Sequence, residues 1–288
     1  MKKVPKTNKL TTLIKPLKEI ERSLGTSYRK ALWKPFIKAI REFNLIEEND
    51  KIAVAVSGGK DSLLLAKILM ELQKYSETPF SLEYLAMDPG FNTINRELLE
   101  ENAKLLEIPL IIRENNNFNV VSKIATDNPC YMCARMRRGF LYEFAESLGC
   151  NKLALGHHFN DVIETTLLNV FYGSQFKTMV PKINSENFTI KLIRPLIYIK
   201  EKDIIRFIKS TGLTVMDCGC EVAAKNYGSK RAVIKELVKD LKKDNPQIEN
   251  SIFRSATNIN LNQVYGYQLN NEKVAFNEIF AETLKKDK

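Results

Sequence analysis

The sequence lacks any long apolar run, which argues against a membrane-spanning helix. No stretch of the 288 residues approaches the roughly 18 consecutive apolar residues that such a helix needs. The basic residues at positions 1–6 are not followed by the apolar segment of a secretory signal peptide, so a cytoplasmic protein is expected. Internal repeats and low-complexity tracts are also lacking, and a hydrophobic content of 44% is enough for a sizeable core.

Cysteine is scarce and unevenly spaced, which argues against a disulfide framework. The chain has an odd number of cysteines, at Cys130, Cys133, Cys150, Cys218 and Cys220. In a chain of this size, such a pattern favours metal or redox chemistry over structural disulfides. Histidine is scarcer still, because the only two, His157 and His158, are adjacent and therefore point differently. They are poor joint zinc ligands, and for each a structural role and a direct role are equally open.

Basic residues outnumber acidic ones. Lysine and arginine total 44 against 34 aspartate and glutamate residues, which gives a net charge of +10 and a pI near 9.2. This balance suits a polyanionic partner such as nucleic acid. A solvated lysine-rich surface would have the same composition, so charge alone does not identify the partner.

A glycine turn between a strand pattern and a helix pattern is the most informative segment. Residues Ser57–Ser62 read SGGKDS, after the β-branched run Ile52–Val56 and before the helical apolar pattern Leu63–Ala66. Gly58 and Gly59 can adopt positive φ, which lets backbone N–H groups approach an anion. The serine hydroxyls, the charge of the lysine and the dipole of the helix start add to this attraction. The segment therefore predicts a nucleotide phosphate site.

The spacing of this loop is neither that of a Walker A motif nor that of a Rossmann fingerprint. Its two glycines are adjacent, and Ser62 follows Asp61 rather than Lys60. The loop resembles the pyrophosphate loop, or PP-loop, of the N-type ATP pyrophosphatase superfamily. That resemblance implies cleavage of ATP between its α and β phosphates and adenylation of a carbonyl oxygen. It assigns ATP binding to Ser57–Ser62, with Lys60 and Asp61 also catalytic.

Strand and helix patterns alternate along the chain and predict an α/β fold. Apolar strands are expected at residues 52–56, 80–87, 110–112 and 152–155, with helices between them. This alternation predicts a mostly parallel, Rossmann-like sheet with helices on both faces, as in the adenine nucleotide alpha hydrolase group. Ligands of such sheets bind beyond the carboxyl ends of the strands, where the loop, Asp88, Gly156 and His157 fall. The last three are therefore also assigned to cofactor binding.

Three regions are expected along the chain. Basic helices should occupy residues 1–48, the ATP-binding α/β domain residues 49–215, and a helical segment with the later cysteines residues 216–288. In this last segment Val233, Leu237 and Leu241 recur at helical spacing.

A C-x-x-C pair lies at the predicted start of a helix. Amide dipoles there favour the thiolates of Cys130 and Cys133, the form that binds metal or attacks sulfur. Cys218 or Cys220 can supply a third ligand if the fold brings that segment back. Three cysteines suit a [4Fe–4S] cluster with one open iron, whereas structural zinc prefers four ligands. Cys150 is interpreted as a core residue.

Charged residues follow both the C-x-x-C pair and the predicted strand at 152–155. Arg135, Arg137 and Arg138 follow the C-x-x-C pair and are candidate RNA contacts, with a solvated helix face as the alternative. After the predicted strand at 152–155, Asp161 is placed to hold Mg²⁺ on a pyrophosphate.

The order of these motifs resembles the tRNA 2-thiocytidine synthesis family. The motifs are SGGKDS, P-C-x-x-C-x-R-x-R-R-G, L-G-H-H-x-x-D and I-R-P-L, and the similarity covers about residues 28 to 260. It implies an ATP-dependent tRNA sulfurtransferase with Mg²⁺ and a [4Fe–4S] cluster on Cys130, Cys133 and a later cysteine. Cys220 matches that cysteine best, and Cys218 is the second choice. Where the family commonly has two aspartates, this chain has Asn160 and then an aspartate.

The resemblance also implies a reaction. The carbonyl of an anticodon-loop cytidine, at position 32, would be adenylated at C2 and its oxygen replaced by sulfur, with release of AMP and pyrophosphate. Cys130, Cys133, Lys60, Asp61 and Asp161 would be the catalytic residues. Partners would be tRNA and a cysteine desulfurase or small sulfide donor, and a homodimer stays open. The alternatives are a zinc-dependent PP-loop enzyme acting on another tRNA position and a non-catalytic, nucleotide-gated RNA-binding protein.

Overall fold

The computed structural model describes residues 11–115, 129–216 and 230–286. No helix in these ranges is both long and apolar enough to cross a membrane. The later cysteines, Cys218 and Cys220, lie outside the described residues, as do residues 1–10 of the basic N-terminal region.

Helices precede the first strand, as predicted. Helix α1 (Leu17–Gly25) is followed by a π-helical turn (Arg29–Trp33) and by α2 (Lys34–Glu42). Both helices are strongly amphipathic, and their apolar faces bury Ile20 and Phe36 against the core.

A six-stranded sheet forms the centre of the protein. Its strands are β1 (Asp50–Ala55), β2 (Phe80–Asp88), β3 (Leu110–Glu114), β4 (Lys152–Ala154), β5 (Lys182–Asn184) and β6 (Lys191–Ile193). The strand order is β3-β2-β1-β4-β6-β5, and every neighbouring pair is parallel except β5 with β6. The predicted fold class, a mostly parallel sheet with helices, is confirmed.

Helices cover both faces of the sheet. They are α3 (Lys60–Tyr75), α4 (Thr93–Leu105), α5 (Pro129–Ser147), α6 (Phe159–Gly173) and α7 (Glu201–Thr211). Alternate residues of β1 face opposite sides, so Ile52 and Val54 join the large core that includes α3 and α7. Ala53 faces the other side and packs in a smaller core with Phe144 of α5. A strand buried on both faces explains the continuous apolar run seen in the sequence.

The strand order reverses between β1 and β4. The chain leaves β1 towards β2 and β3 on one side, and later returns to β4 and β6 on the other. At such a switch point the loops after the two strands diverge and leave a crevice beyond the carboxyl ends. The SGGKDS loop follows β1, and Gly156 and His157 follow β4, so both flank this crevice.

The C-terminal part contains helices and, unexpectedly, a small second sheet. It comprises α8 (Lys230–Asp244), α9 (Ile248–Ser255), a short 3₁₀ turn (Leu261–Gln263), β7 (Gly266–Leu269), β8 (Glu272–Ala275) and α10 (Phe276–Lys286). The sequence pattern predicted helices in this segment and gave no sign of the hairpin of β7 and β8. Its turn residues Asn270 and Asn271 both have positive φ, the geometry that a two-residue hairpin requires.

Helix α8 packs on α6, but not with the apolar stripe that was noted in the sequence. Ile234 and Val238 are buried against Phe159 and Ile163 of α6. Val233, Leu237 and Leu241, the stripe seen in the sequence, are exposed. The two stripes are adjacent on the helix, so spacing alone did not decide which one would be covered.

Candidate nucleotide-binding and active site

The loop between β1 and α3 is braced by a serine. The hydroxyl of Ser62 accepts the backbone N–H of Ser57 at 3.1 Å and lies 3.2 Å from the Ser57 hydroxyl. Its own proton goes to the carbonyl of Gly59 at 2.9 Å. Ser62 is buried whereas Ser57 is exposed. Ser62 therefore shapes the loop from beneath, and Ser57 faces the opening.

Helix α3 begins without a side-chain cap. Its N-cap residue is Gly59, and no side chain in the described ranges accepts a hydrogen bond at this end. The first N–H groups of a helix have no partner within the helix, and the helix dipole makes them attractive to an anion. The start of α3 thus fits a phosphate group.

Two glycines permit close backbone approaches at the site. Gly58 has φ of +82°, and a Cβ atom there would collide with the sulfur of Met216. Its carbonyl accepts the N–H of Met216 at 3.1 Å. A Cβ atom on Gly156 would lie 3.1 to 3.2 Å from backbone atoms of Asp61 and Ser62. Glycine at position 156 therefore lets the end of β4 touch the first turn of α3.

The left-handed conformation is needed at only one of the two loop glycines. Gly59 is extended, with φ of −79° and ψ of 162°. A Cβ atom at this position would make an ordinary contact of 3.7 Å with the Ser57 hydroxyl. The turn is made by Gly58 alone.

Lys60 lies between two carboxylates. Its Nζ is 2.9 Å from Asp61 Oδ2 and 3.2 Å from Glu201 Oε1, and Glu201 Oε2 is 2.9 Å from Lys235 Nζ. Burial lowers the pKa of Lys60, but the attraction of Asp61 and Glu201 outweighs it and raises the pKa overall. For Glu201 the effect of burial has the opposite sign and raises the pKa, but the hydrogen bonds and the charges of the two lysines outweigh burial and lower the pKa overall. Glu201 and Lys235 were not identified from the sequence.

Asp88 ends β2 and organises the turn that follows. Its Oδ1 accepts the N–H groups of Gly90 and Phe91 at 2.8 and 2.6 Å, and its Oδ2 accepts Arg96 Nη1 at 2.7 Å. Burial raises the pKa of this carboxyl, but the hydrogen bonds outweigh burial and lower it. Both oxygens of Asp88 are therefore engaged by the protein itself. The three hydrogen bonds hold the turn after β2 beside the loop.

His158 caps α6 and lies between two aspartates. Its Nδ1 accepts the N–H of Asp161 at 3.4 Å, and Asp161 Oδ2 accepts the N–H of His158 at 2.9 Å. An accepting Nδ1 places the proton of the neutral ring on Nε2, which lies 3.6 Å from Asp61 Oδ1. This Oδ1 is buried and has no hydrogen-bond partner in the described part of the chain. His158 thus caps α6 and lies between Asp61 and Asp161.

Asp161 is also paired with an arginine of α8. Arg231 Nη2 is 3.3 Å from Asp161 Oδ1, and Arg231 Nε donates to Glu164 Oε2 at 2.6 Å. No group of three or more metal-ligating side chains occurs within residues 11–115, 129–216 and 230–286. Mg²⁺ typically takes one or two carboxylates together with substrate phosphates. Both oxygens of Asp161 are engaged by the protein itself, one by the N–H of His158 and one by Arg231, whereas Asp61 Oδ1 has no hydrogen-bond partner among the described residues.

His157 is partly buried and lies within electrostatic range of Arg194. Burial, together with the charge of Arg194, lowers the pKa of His157 to about 4. The ring Nδ1 of His157 and the Nε of Arg194 are buried without hydrogen-bond partners among the described residues. Burial also lowers the pKa of Arg194 to about 10, and its guanidinium donates to the carbonyl of Val180. His157 is therefore neutral at pH 7.

Asn160 joins three helices. Its amide oxygen accepts the N–H of Glu201 at the start of α7 at 3.0 Å, and its amide nitrogen donates to Glu249 of α9 at 3.3 Å. Glu249 is paired with Lys242 at 2.7 Å. The residue that departs from the family's pair of aspartates thus has a structural role here, which requires both a donor and an acceptor.

The loop after β1 borders a cavity of about 400 Å³, within the range of small-molecule sites. Its walls are the loop after β1, the turn after β2, the middle of α5 and the chain at 215–216, and they include Val56, Ser57, Gly59, Lys60, Asp61, Pro89, Phe91, Arg137, Leu141, Val215 and Met216. A phosphate-attracting helix start and apolar side chains thus face the same space.

Described neighbours of both cysteine segments line this cavity. Cys130 and Cys133 lie in the first two turns of α5, although their side chains are outside the described part of the structure. Arg137, one turn after Cys133, lines the cavity. Met216, which also lines it, precedes Cys218 by two residues. The described neighbours of both segments thus border one space, while Arg135 and Arg138 are exposed on α5.

Fold and site define an α/β protein with a phosphate loop at the switch point of a parallel sheet. Residues 28–236 match the family described as PP-loop domain. A tRNA-cytidine(32) 2-sulfurtransferase of Citrifermentans bemidjiense is 37% identical over 77% of this chain and 88% of its own length. The enzyme of the same name from Bdellovibrio bacteriovorus is 39% identical over 82% and 91%. The chain belongs to the PP-loop family and, within it, to the tRNA 2-thiocytidine synthesis family, as the motifs predicted.

A solved structure shares the fold. The U34-tRNA thiolase NcsA from Methanococcus maripaludis, solved with its [4Fe-4S] cluster, superposes with a TM-score of 0.61 at 24% identity. The match covers 84% of this chain and 77% of the thiolase.

Proposed function

We propose that this protein is an ATP-dependent tRNA sulfurtransferase that replaces the C2 oxygen of cytidine 32 with sulfur. Curated relatives of this activity align with more than three quarters of the chain. The observation that supports the proposal is that the uncapped start of α3 and described neighbours of both cysteine segments border the same cavity. Activation of a base and delivery of sulfur would then occur in one place.

The loop would promote adenylation. The first N–H groups of α3 and the charged Lys60 would receive the phosphates of ATP, and Asp61 and Asp161 would hold Mg²⁺, which would offset the negative charge of the phosphates. The C2 carbonyl oxygen of the base attacks the α-phosphorus, the bond to the β-phosphate breaks, and pyrophosphate leaves. Each preorganised donor aimed at developing charge in such a step is worth roughly 10²- to 10³-fold in rate. The base oxygen becomes part of a good leaving group, AMP.

The cysteines would serve the second half-reaction. Cys130, Cys133 and a later cysteine, Cys220 or Cys218, fit a [4Fe–4S] cluster, since three thiolates leave one iron open. When bound, the cluster supplies that iron as a place where sulfide is held. Sulfide attack at C2 then expels AMP, and the base retains sulfur in place of oxygen. The helix start at α5 favours the thiolate form that ligation needs.

The arginines of α5 would receive the RNA. Arg135 and Arg138 are exposed on the helix whose Arg137 lines the cavity. A base in an anticodon loop can leave its stack and enter a pocket while arginines hold the neighbouring phosphates. A tRNA substrate in turn suggests a cytoplasmic enzyme, supplied with sulfur by a cysteine desulfurase or a small sulfide donor.

The test is an anaerobic assay with ATP, Mg²⁺, sulfide and unmodified tRNA. We expect AMP and pyrophosphate to accumulate and 2-thiocytidine to be found by mass spectrometry of the digested tRNA. Cys130→Ser should abolish thiolation while ATP binding persists. Cys150→Ala is the matched control, because burial raises the pKa of this thiol to about 11 and makes it inert. ADP as the sole product, or full thiolation by Cys130→Ser, would refute the proposal, and zinc without iron would indicate the zinc-dependent alternative.

A further inference from the structure

The phosphate-binding lysine already has anionic partners in this structure. Lys60 Nζ is held by Asp61 at 2.9 Å and by Glu201 at 3.2 Å. An incoming phosphate is a third anion competing for the same ammonium group. It must therefore replace one of the two carboxylates, or it must share the lysine with both.

Glu201 is the partner that the fold holds in place from outside the loop. Its backbone N–H is fixed by the side-chain oxygen of Asn160 at 3.0 Å, at the first residue of α7. Its two carboxylate oxygens point to different lysines, Lys60 and Lys235. The side chains of Lys60 and Glu201 are 25% and 19% exposed, so their attraction is only partly screened by water.

We propose that Glu201 is a positioning residue that occupies the phosphate's place on Lys60 in the free protein, and that Lys235 weakens its hold. The inference rests on the proposed function, because it assumes that Lys60 contacts a phosphate of ATP. Lys235 neutralises Glu201 from the side of α8, so that the loop lysine is kept in position without being bound too strongly to release. Phosphate then takes over Lys60, and Glu201 keeps Lys235 as its partner.

Substitutions of Glu201 and of Lys235 should have opposite effects on the affinity for pyrophosphate. Glu201→Gln removes the competing charge, so we expect pyrophosphate to bind about 3- to 10-fold more tightly, the scale of one partly exposed ion pair. Lys235→Gln leaves Glu201 with Lys60 alone, so pyrophosphate should bind more weakly by a similar factor. In the double variant the Lys235 substitution should have no further effect, since Lys235 acts only through Glu201.

The experiment is isothermal titration of the full-length chain with inorganic pyrophosphate and with ATP, at constant pH and ionic strength. Lys239→Gln is the matched control, because Lys239 lies one turn further along α8 and, among the described residues, its ion pair is with the exposed Glu236 at 3.1 Å. It removes the same charge from the same helix and should leave the affinity unchanged. Damage to the fold cannot produce tighter binding, so the gain in Glu201→Gln separates positioning from a structural role.

Different results overturn different statements. Absence of ATP and pyrophosphate binding by the unaltered protein would refute the proposed function itself. If the unaltered protein binds both ligands but Glu201→Gln binds them equally or more weakly, only the placeholder role is refuted. If Lys235→Gln still weakens binding in the Glu201→Gln background, Lys235 acts on the ligand directly and the link through Glu201 is wrong.

Discussion

Replacing Gly156 with alanine tests how closely the end of β4 packs against the first turn of α3. The new Cβ atom would lie 3.1 to 3.2 Å from three backbone atoms of Asp61 and Ser62, closer than almost all contacts of real Cβ atoms. Backbone atoms cannot rotate away as a side chain can, so α3 or the strand must shift. Overpacking of this kind costs about 1–3 kcal/mol.

The shift should reach the nucleotide directly, because the displaced atoms belong to the helix turn that would hold the phosphates. If the whole of this cost appears in ATP binding, the affinity for ATP falls by roughly 5- to 150-fold, at about 1.4 kcal/mol per tenfold change. Isothermal titration with ATP and urea unfolding measure the two effects. Gly139→Ala is the control, since nothing lies within 4 Å of a Cβ atom there and alanine favours a helix interior. Unchanged stability and affinity in Gly156→Ala would refute the packing argument.

Three further predictions concern the charged groups around the cavity. Because the pKa of His157 is lowered from 6.5 to about 4, the unfolded chain binds a proton between those pH values that the folded chain does not. Stability should therefore fall by about 1–3 kcal/mol as the pH drops from 7 to 4.5, and urea titrations should show a smaller fall in His157→Gln. Arg231→Gln should lower the stability by about 1 kcal/mol, because Asp161 and Glu164 each lose an ion pair with a half-exposed arginine; an unchanged urea midpoint would contradict this. Asp88→Ala removes three hydrogen bonds from the turn beside the loop and should weaken ATP binding several-fold by titration, whereas an unchanged affinity would show that the turn does not depend on them.

The local parts of the fold could be predicted from the sequence. The strand, loop and helix at residues 50–75 were expected within two residues of where they lie, because a β-branched run, two glycines and a helical apolar pattern follow one another. The same reasoning placed Lys60 and the residues after β4 at one edge of the sheet. Periodicity and the rules of parallel sheets were sufficient for this.

Contacts between distant segments could not be predicted in this way. Nothing in the spacing around Glu201 or Arg231 indicates that the first meets Lys60 and the second meets Asp161, since these contacts depend on how α7 and α8 pack on the sheet. Residue type allowed positive φ at both Gly58 and Gly59, yet only Gly58 adopts it in the turn. Residue type determines which backbone conformations a position can adopt, and the contacts with neighbouring segments determine which one it does adopt.

The bridging amide of Asn160 has a consequence for comparing related sequences. An aspartate at this position could still accept the N–H of Glu201, but it would set a negative charge against Glu249 instead of donating to it. Relatives with two consecutive aspartates should therefore carry a neutral or basic residue where this chain has Glu249. The two positions would then covary, so an alignment of family members can test a helix contact without any further structure.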